Sequence, residues 1–301
     1  MNTTASTDRM PRRPNVQTLD SGGVRIAYED WPGEKGPLVC LSSITGHKGS
    51  FASFAQALSP EYRLIALDAR GRGDSDKPAD GYGFAYHARD IIAVADTLGF
   101  DSFVLVGHSF GATASVYTAT IRPDRVRALV LMDGGADPSR ENLEAMFPTV
   151  RRLAKKFTSM EEYVAAQRKA AYHRPWSSAL EKYVCEDVFV ADGIVQFKSS
   201  AKAVERDLEM HFWENVWFHL SDIRCPAIFL QPTEGLLGET GHVYRKEEAE
   251  RLVALIPDCR FVRVPGGNHY TMLIQDDPPV VNPAREFLKQ VLVPASAGSR
   301  R

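Results

Sequence analysis

An alternating α/β fold with a mostly parallel sheet is the architecture that this 301-residue sequence predicts. Three observations carry that reading: short apolar runs, longer helical patterns between them, and one long stretch where the alternation stops. Val24–Glu29 alternates apolar and polar residues, as an edge or hairpin strand does. Pro37–Ser42, Arg63–Asp68, Phe103–Gly107, Arg127–Met132, Ala227–Gln231 and Arg260–Val264 are mostly apolar, the pattern of strands covered on both faces. Helical patterns occupy Ser50–Leu58, Phe84–Leu98, Phe110–Ile121, Tyr244–Ile256 and Pro279–Val291. Such alternation builds a parallel or mostly parallel sheet with helices on both faces.

Residues 138–220 break the pattern. No strand run stands out there, and the stretch is rich in helix formers and aromatics, among them Trp176, Phe197, Trp213 and Trp217. It reads as a helical lid inserted into a core made of 17–137 and 221–294. Residues 1–16 are polar and lack the apolar stretch of a signal peptide, so they read as a disordered arm. Residues 295–301 read as a flexible tail.

Composition excludes several functions. Hydrophobic residues make up 44% and charged residues 25%, ordinary values for a globular chain. Lys+Arg number 36 against 38 Asp+Glu, a net charge of −2, which gives no electrostatic pull toward nucleic acid or an anionic membrane. No apolar run approaches the roughly 18 residues of a membrane helix. Cys40, Cys185, Cys225 and Cys259 are widely spaced, with no CxxC pair. Cys40 and Cys225 flank apolar runs and read as buried small hydrophobes. The expectation is a cytoplasmic protein with reduced thiols, a monomer or homodimer whose partner is a small-molecule substrate. No HExxH, P-loop or GxGxxG occurs, so neither metal nor other cofactor is expected.

The chemistry concentrates at Gly107-His108-Ser109-Phe110-Gly111, which follows one strand run and opens a helix. This is a G-x-S-x-G turn in the strand–turn–helix context that lifts a serine hydroxyl above a sheet. Side chains at the flanking positions would strike the adjacent strand and helix, hence the glycines. Serine needs a base. Of eight histidines, His108 sits inside the turn and should point away from the hydroxyl. His269 lies late in the chain, in the Gly-rich loop Val264-Pro265-Gly266-Gly267-Asn268-His269. His269 is therefore the candidate base.

With these residues in place, the chain resembles the α/β-hydrolase fold superfamily with a helical cap, over about Gly22 to Val291. Asp68-Ala69-Arg70-Gly71-Arg72-Gly73-Asp74-Ser75 resembles the D-x-R-G-x-G-x-S loop after that family's fourth strand. Arg125–Leu131 resembles the approach to its sixth strand, and Asn268-His269 its histidine loop. The resemblance implies an eight-stranded, mostly parallel sheet and a Ser-His-acid hydrolase. It departs at two places. The usual His-Gly after the third strand is here Ser42-Ser43. By position, the N–H groups of Ile44 and Phe110 would form the oxyanion hole. Ser43 would either contact substrate or only shape the loop. The acid is also displaced. Glu234 occupies the usual position after the seventh strand, within Gln231-Pro232-Thr233-Glu234. Asp133, at the end of the sixth strand, where some relatives carry the acid, is the candidate acid, with Glu234 the alternative.

Three functions follow. The first is a serine hydrolase cleaving a fairly apolar carboxylic ester or lactone through an acyl-enzyme, with Trp213 and Trp217 as candidate substrate contacts. The second is a carbon–carbon bond hydrolase acting on a diketone. The third is a non-catalytic binder of a small ligand on the same fold. His47, near the presumed oxyanion loop, reads as a solvated loop residue, and Asp68, Arg70 and Asp74 as a structural network.

Overall fold

The computed structural model describes residues 12–136, 150–211 and 214–292. Strands β1 (Gln17–Asp20), β2 (Arg25–Trp31), β3 (Lys35–Leu41) and β4 (Tyr62–Leu67) open the chain, with helix α1 (Ala52–Leu58) between the last two. Helix α2 (Phe84–Thr97), β5 (Phe103–His108), α3 (Phe110–Ile121) and β6 (Val126–Met132) follow. After the inserted segment come β10 (Ala227–Pro232), α7 (Lys246–Leu255), β11 (Cys259–Val264) and α8 (Val281–Val291). The sheet has eight strands in the order β1-β2-β4-β3-β5-β6-β10-β11. β2 pairs antiparallel with β1 and β4, and every other pairing is parallel.

Burial follows position in the sheet. β5 and β10 are buried at every residue, as apolar runs between two helical layers require. β11 has only β10 beside it and stays largely half-exposed. β1 completes the eight. Only Leu19 of its four residues is buried, which is why no apolar run announces it.

The inserted segment is not all helix. It carries α4 (Met160–Lys169), α5 (Ser178–Glu186) and α6 (Ala201–His211), but also β7 (Lys156–Phe157), β8 (Val188–Ala191) and β9 (Ile194–Phe197). These three strands form an antiparallel sheet in the order β7-β9-β8. β8 and β9 meet across Asp192 (φ 51°) and Gly193 (φ 74°). Two successive positive φ values are what a two-residue hairpin turn needs, and Asp-Gly supplies them.

Polar clamps fasten this segment to the core. Arg72 Nη1 donates to Asp207 Oδ2 of α6 at 2.5 Å, and His87 Nε2 donates to Asp207 Oδ1 at 3.0 Å. Asn268 Nδ2 donates to the Tyr172 carbonyl at 3.1 Å. Residues 12–16, expected to belong to a disordered arm, include Arg13, whose guanidinium bridges Glu29 of β2 and Glu186 of α5. Among the described residues no helix is long and apolar enough to cross a membrane, and no cluster of three His, Cys, Asp or Glu side chains is arranged to hold a metal ion. Cys40 is buried, whereas Cys225, expected to be buried, is half-buried.

Candidate active site

Ser109 sits between β5 and α3 with φ 55° and ψ −120°, a conformation that L-residues rarely adopt. Its neighbours explain the turn. A Cβ on Gly107 would lie 2.3 Å from Ala112 Cα, and one on Gly111 would lie 2.0 Å from the Leu41 carbonyl oxygen. Both contacts are with backbone, so only glycine fits at either position. The Ser109 N–H donates to the Met132 carbonyl at 2.9 Å, which ties the turn to β6.

That tie brings the end of β6 to the serine. Asp133 follows β6 with φ 45°, and its N–H donates to the Leu230 carbonyl of β10 at 2.8 Å. Asp tolerates this left-handed region better than most residues. The Asp133 side chain is buried and accepts from His269 Nδ1 at 2.6 Å. The Asp133–His269 bond fixes the proton on Nδ1 and leaves Nε2 as the basic nitrogen. Among the described residues Ser109 Oγ makes no hydrogen bond. Glu234, the other candidate acid, is exposed and carries no side-chain hydrogen bond among the described residues. It lies beyond Gln231, whose Nε2 donates to the Tyr244 carbonyl at 2.9 Å within the core.

His108 supports the histidine loop from beneath. Its ring lies 4.6 Å from that of His269, and its Nε2 donates to the His269 carbonyl at 2.7 Å. Burial, reinforced by the neighbouring imidazole, holds His108 well below the usual histidine range. It is therefore a neutral, fully buried brace.

The loop after β3 runs across the N-terminus of α3, as the Gly111–Leu41 approach requires. The Gly46 N–H donates to the Ser43 carbonyl at 2.9 Å, and Arg72 Nε donates to the Ile44 carbonyl at 2.8 Å. In a trans peptide the N–H points opposite to the carbonyl. The Ile44 N–H is therefore directed away from the Ser43–Gly46 turn. Phe110 is the first residue of α3, so its N–H belongs to the helix's opening turn. Ser43 is buried, and its hydroxyl has no hydrogen-bond partner among the described residues. Ser42 Oγ lies 2.8 Å from Ser50 Oγ.

His47 departs from the expectation of a solvated loop residue. It is buried, its ring stacks on Tyr183 of α5 at 4.4 Å, and its Nε2 donates to the Tyr183 carbonyl at 3.1 Å. Burial lowers its pKa despite nearby Asp68. The Trp217 ring lies under the Arg251 guanidinium at 5.2 Å. Trp213 lies outside the described residues. Asp68 accepts from Lys48 Nζ at 2.8 Å and from the Asp74 N–H at 2.8 Å. Arg70 donates to both oxygens of Asp90. Asp68 and Asp74 thus share Lys48, whereas Arg70 and Asp90 form a pair of their own.

Sequence reasoning missed the wall above His269. The Tyr270 ring meets that imidazole edge-on at 5.2 Å and also contacts Tyr172 at 5.5 Å. Tyr172 in turn accepts a 2.8 Å hydrogen bond from Arg152 Nη1. Tyr270 could have been found from its place beside His269. Nothing local marks Arg152.

A strained serine on a strand-to-helix turn, with a buried His–Asp pair beside it on a mostly parallel sheet, defines a hydrolase-type α/β protein. A family model described as the alpha/beta hydrolase fold matches residues 36–276, and the chain belongs to that family. Its relatives include the 2-(acetamidomethylene)succinate hydrolase of Mesorhizobium japonicum, 29% identical over 239 residues, 78% of this chain and 82% of that one. RutD of Klebsiella pneumoniae (strain 342), provisionally named a carbamate hydrolase, is 27% identical over 250 residues, 82% of this chain and 88% of its own. Among solved structures, an E-2-(acetamidomethylene)succinate hydrolase is similar with a TM-score of 0.78 at 24% identity, covering 92% of this chain and 98% of the other. A thermophilic esterase from Thermogutta terrifontis gives 0.71 at 21% identity, covering 94% and 100%. At these identities the structural likeness speaks for the fold.

Proposed function

We propose that this chain is a serine hydrolase that cleaves a carboxylic ester or lactone of a small molecule through an acyl-enzyme. Ser109 Oγ attacks the acyl carbon while His269 Nε2 takes its proton. Asp133 holds the imidazole tautomer and stabilises the imidazolium. The N–H groups of Ile44 and Phe110 receive the developing oxyanion. His269 then protonates the departing alkoxide. In the second half it deprotonates water, which attacks the acyl-enzyme and releases the acid and Ser109.

What supports this reading is the 2.6 Å bond from His269 Nδ1 to Asp133 beside a serine held at φ 55°. The names of the two sequence relatives add acyl groups bound to nitrogen, a carbamate and an acetamido group, to which the same steps apply. A second reading, hydrolysis of a carbon–carbon bond in a diketone, uses the same residues. Retro-Claisen products would separate it from an esterase.

The test is p-nitrophenyl ester hydrolysis, acetate through octanoate. Ser109→Ala should abolish turnover, and Asp133→Asn should lower it by about 10⁴-fold through the wrong tautomer. Glu234→Gln should leave it within about twofold, the usual scale for an exposed residue that touches nothing. A folded wild type that hydrolyses no ester, and whose Ser109 resists a fluorophosphonate label, overturns the reading.

A further inference from the structure

Among the described residues the Arg152 guanidinium makes one hydrogen bond, and a chain of ring contacts connects it to His269. Arg152 stands on the inserted segment, and its charged group lies over the rings of Tyr172 (5.5 Å) and Phe197 (5.6 Å). Tyr172 touches Tyr270, and Tyr270 touches His269, so ring contacts of 5.5 and 5.2 Å link Arg152 to the candidate base. Nη1 is taken by the Tyr172 hydroxyl, while Nε has no acceptor. Among the described residues no carboxylate lies within 4.0 Å of this guanidinium. A purely structural buried arginine is normally paired, because an uncompensated charge and a bare donor are both costly. Arg72, paired with Asp207 although its Nη2 has no acceptor among the described residues, and Arg70, paired with Asp90, show the structural pattern of a carboxylate partner in this same molecule. Arg152 departs from it.

Resting on the serine-hydrolase reading above, we propose that Arg152 forms a carboxylate-binding subsite, and that the substrate is an acyl compound bearing its own carboxylate. The Nε edge of a guanidinium is a planar fork that suits two coplanar oxygens, and here Nε is buried without an acceptor. The surroundings leave its charge largely intact. Asp187 is the nearby acid, buried, with an Oδ1 that receives no donor. Burial pushes its carboxyl up to about 7, against the pull of Arg152 and Lys198 and with a push from Asp68. Below neutrality it is mostly uncharged and does not cancel Arg152. The other ionisable groups facing this space include Tyr163, Tyr183 and Tyr270, all shifted upward by burial, and His173, lowered by burial to about 4, so these four are neutral. The aromatic insert predicts a fairly apolar substrate, and Arg152 gives that pocket one charged wall.

Matched esters test the subsite. The mono-p-nitrophenyl esters of glutaric and adipic acid would be compared with p-nitrophenyl hexanoate and heptanoate, which replace the carboxylate by an uncharged end of similar size. Wild type should favour the acidic esters in kcat/KM by roughly 10- to 100-fold, the scale of a charge-assisted pair. Arg152→Met should lower that ratio at least tenfold, chiefly through KM, and Arg152→Lys should recover part of it. No preference in wild type, or an equal loss on both esters in Arg152→Met, overturns the proposal. If no ester is hydrolysed, the hydrolase reading fails first, and the subsite is tested by calorimetry with glutarate and adipate. Binding weakened by Arg152→Gln supports it, whereas no binding to wild type overturns it.

Discussion

His108 shows how one side chain inside the serine turn acts through another. It is buried and neutral, and its single donated bond goes to the His269 carbonyl. His108→Leu keeps the volume but strands that carbonyl, at a cost of about 1–3 kcal/mol. It also loosens the loop that aims the imidazole. A lowered Tm and a kcat reduced by up to about 10²-fold, with KM less affected, are the expected outcomes, since small misplacements of a base are costly. His108→Gln, which can still donate, should recover part of kcat. Equal kcat in all three proteins would remove His108 from the positioning role. At this scale the sequence was partly legible. Gly107 and Gly111 answer a local steric demand, so they can be read from spacing alone. Choosing between Asp133 and Glu234 needs the β6–β10 adjacency, because it is the Leu230 carbonyl that turns Asp133 toward His269. Arg152 is illegible in principle, since its meaning lies in the carboxylate that is missing around it.

Among the elements, the long apolar runs were legible and the short amphipathic ones were not. β5 and β10 have no wet face, so their burial is written in every residue. β8 and β9 are four residues each, half-exposed, and set among good helix formers. Their surest signal is the Asp192-Gly193 turn rather than the strands themselves. Helix α6 has a different task. Its Asp207 accepts from Arg72, His87 and the Gly83 N–H, so one buried carboxylate joins the insert to the β4–α2 connection and to α2 itself. Burial would raise its pKa, but His87 and Arg72 overcome this and hold it well below the usual carboxylate range. Asp207→Ala should destabilise the protein by about 3–5 kcal/mol, because Arg72 is left buried and unpaired. Chemical denaturation would measure this. A loss below about 1 kcal/mol would mean that the clamp carries little of the interface.

For the whole molecule, buried titratable groups set the pH range of stability. His47, His108 and His173 are all held below the usual imidazole range by burial, His173 at about 4. The unfolded chain takes up these protons near pH 6.5 and the native chain does not, so stability falls as pH drops below about 6.5. Asp187 works the other way. Its native carboxyl, pushed by burial to about 7, keeps a proton that the unfolded chain has already lost near pH 4, so its penalty grows as pH rises between those values. Three groups outweigh one, and net stability should decline on acidification well before ordinary carboxylates titrate. Asp187→Asn removes the opposing contribution. Its melting curve should match wild type near pH 4 and lie several degrees higher at pH 8. Parallel Tm–pH profiles for the two proteins would show that Asp187 ionises as freely in the fold as out of it.

The pairing of β6 with β10 has a kinetic consequence. These neighbours lie side by side, Leu129 against Ala227, yet the entire insert separates them along the chain. Compared with a connection of about ten residues, closing a loop of that length costs about 2 kcal/mol more in chain entropy. The last parallel strands therefore join a sheet whose first six can assemble from nearer partners. Contacts of such long sequence separation slow folding. The same adjacency that delivers His269 to Asp133 thus makes the histidine's side of the site the late-forming half of the molecule.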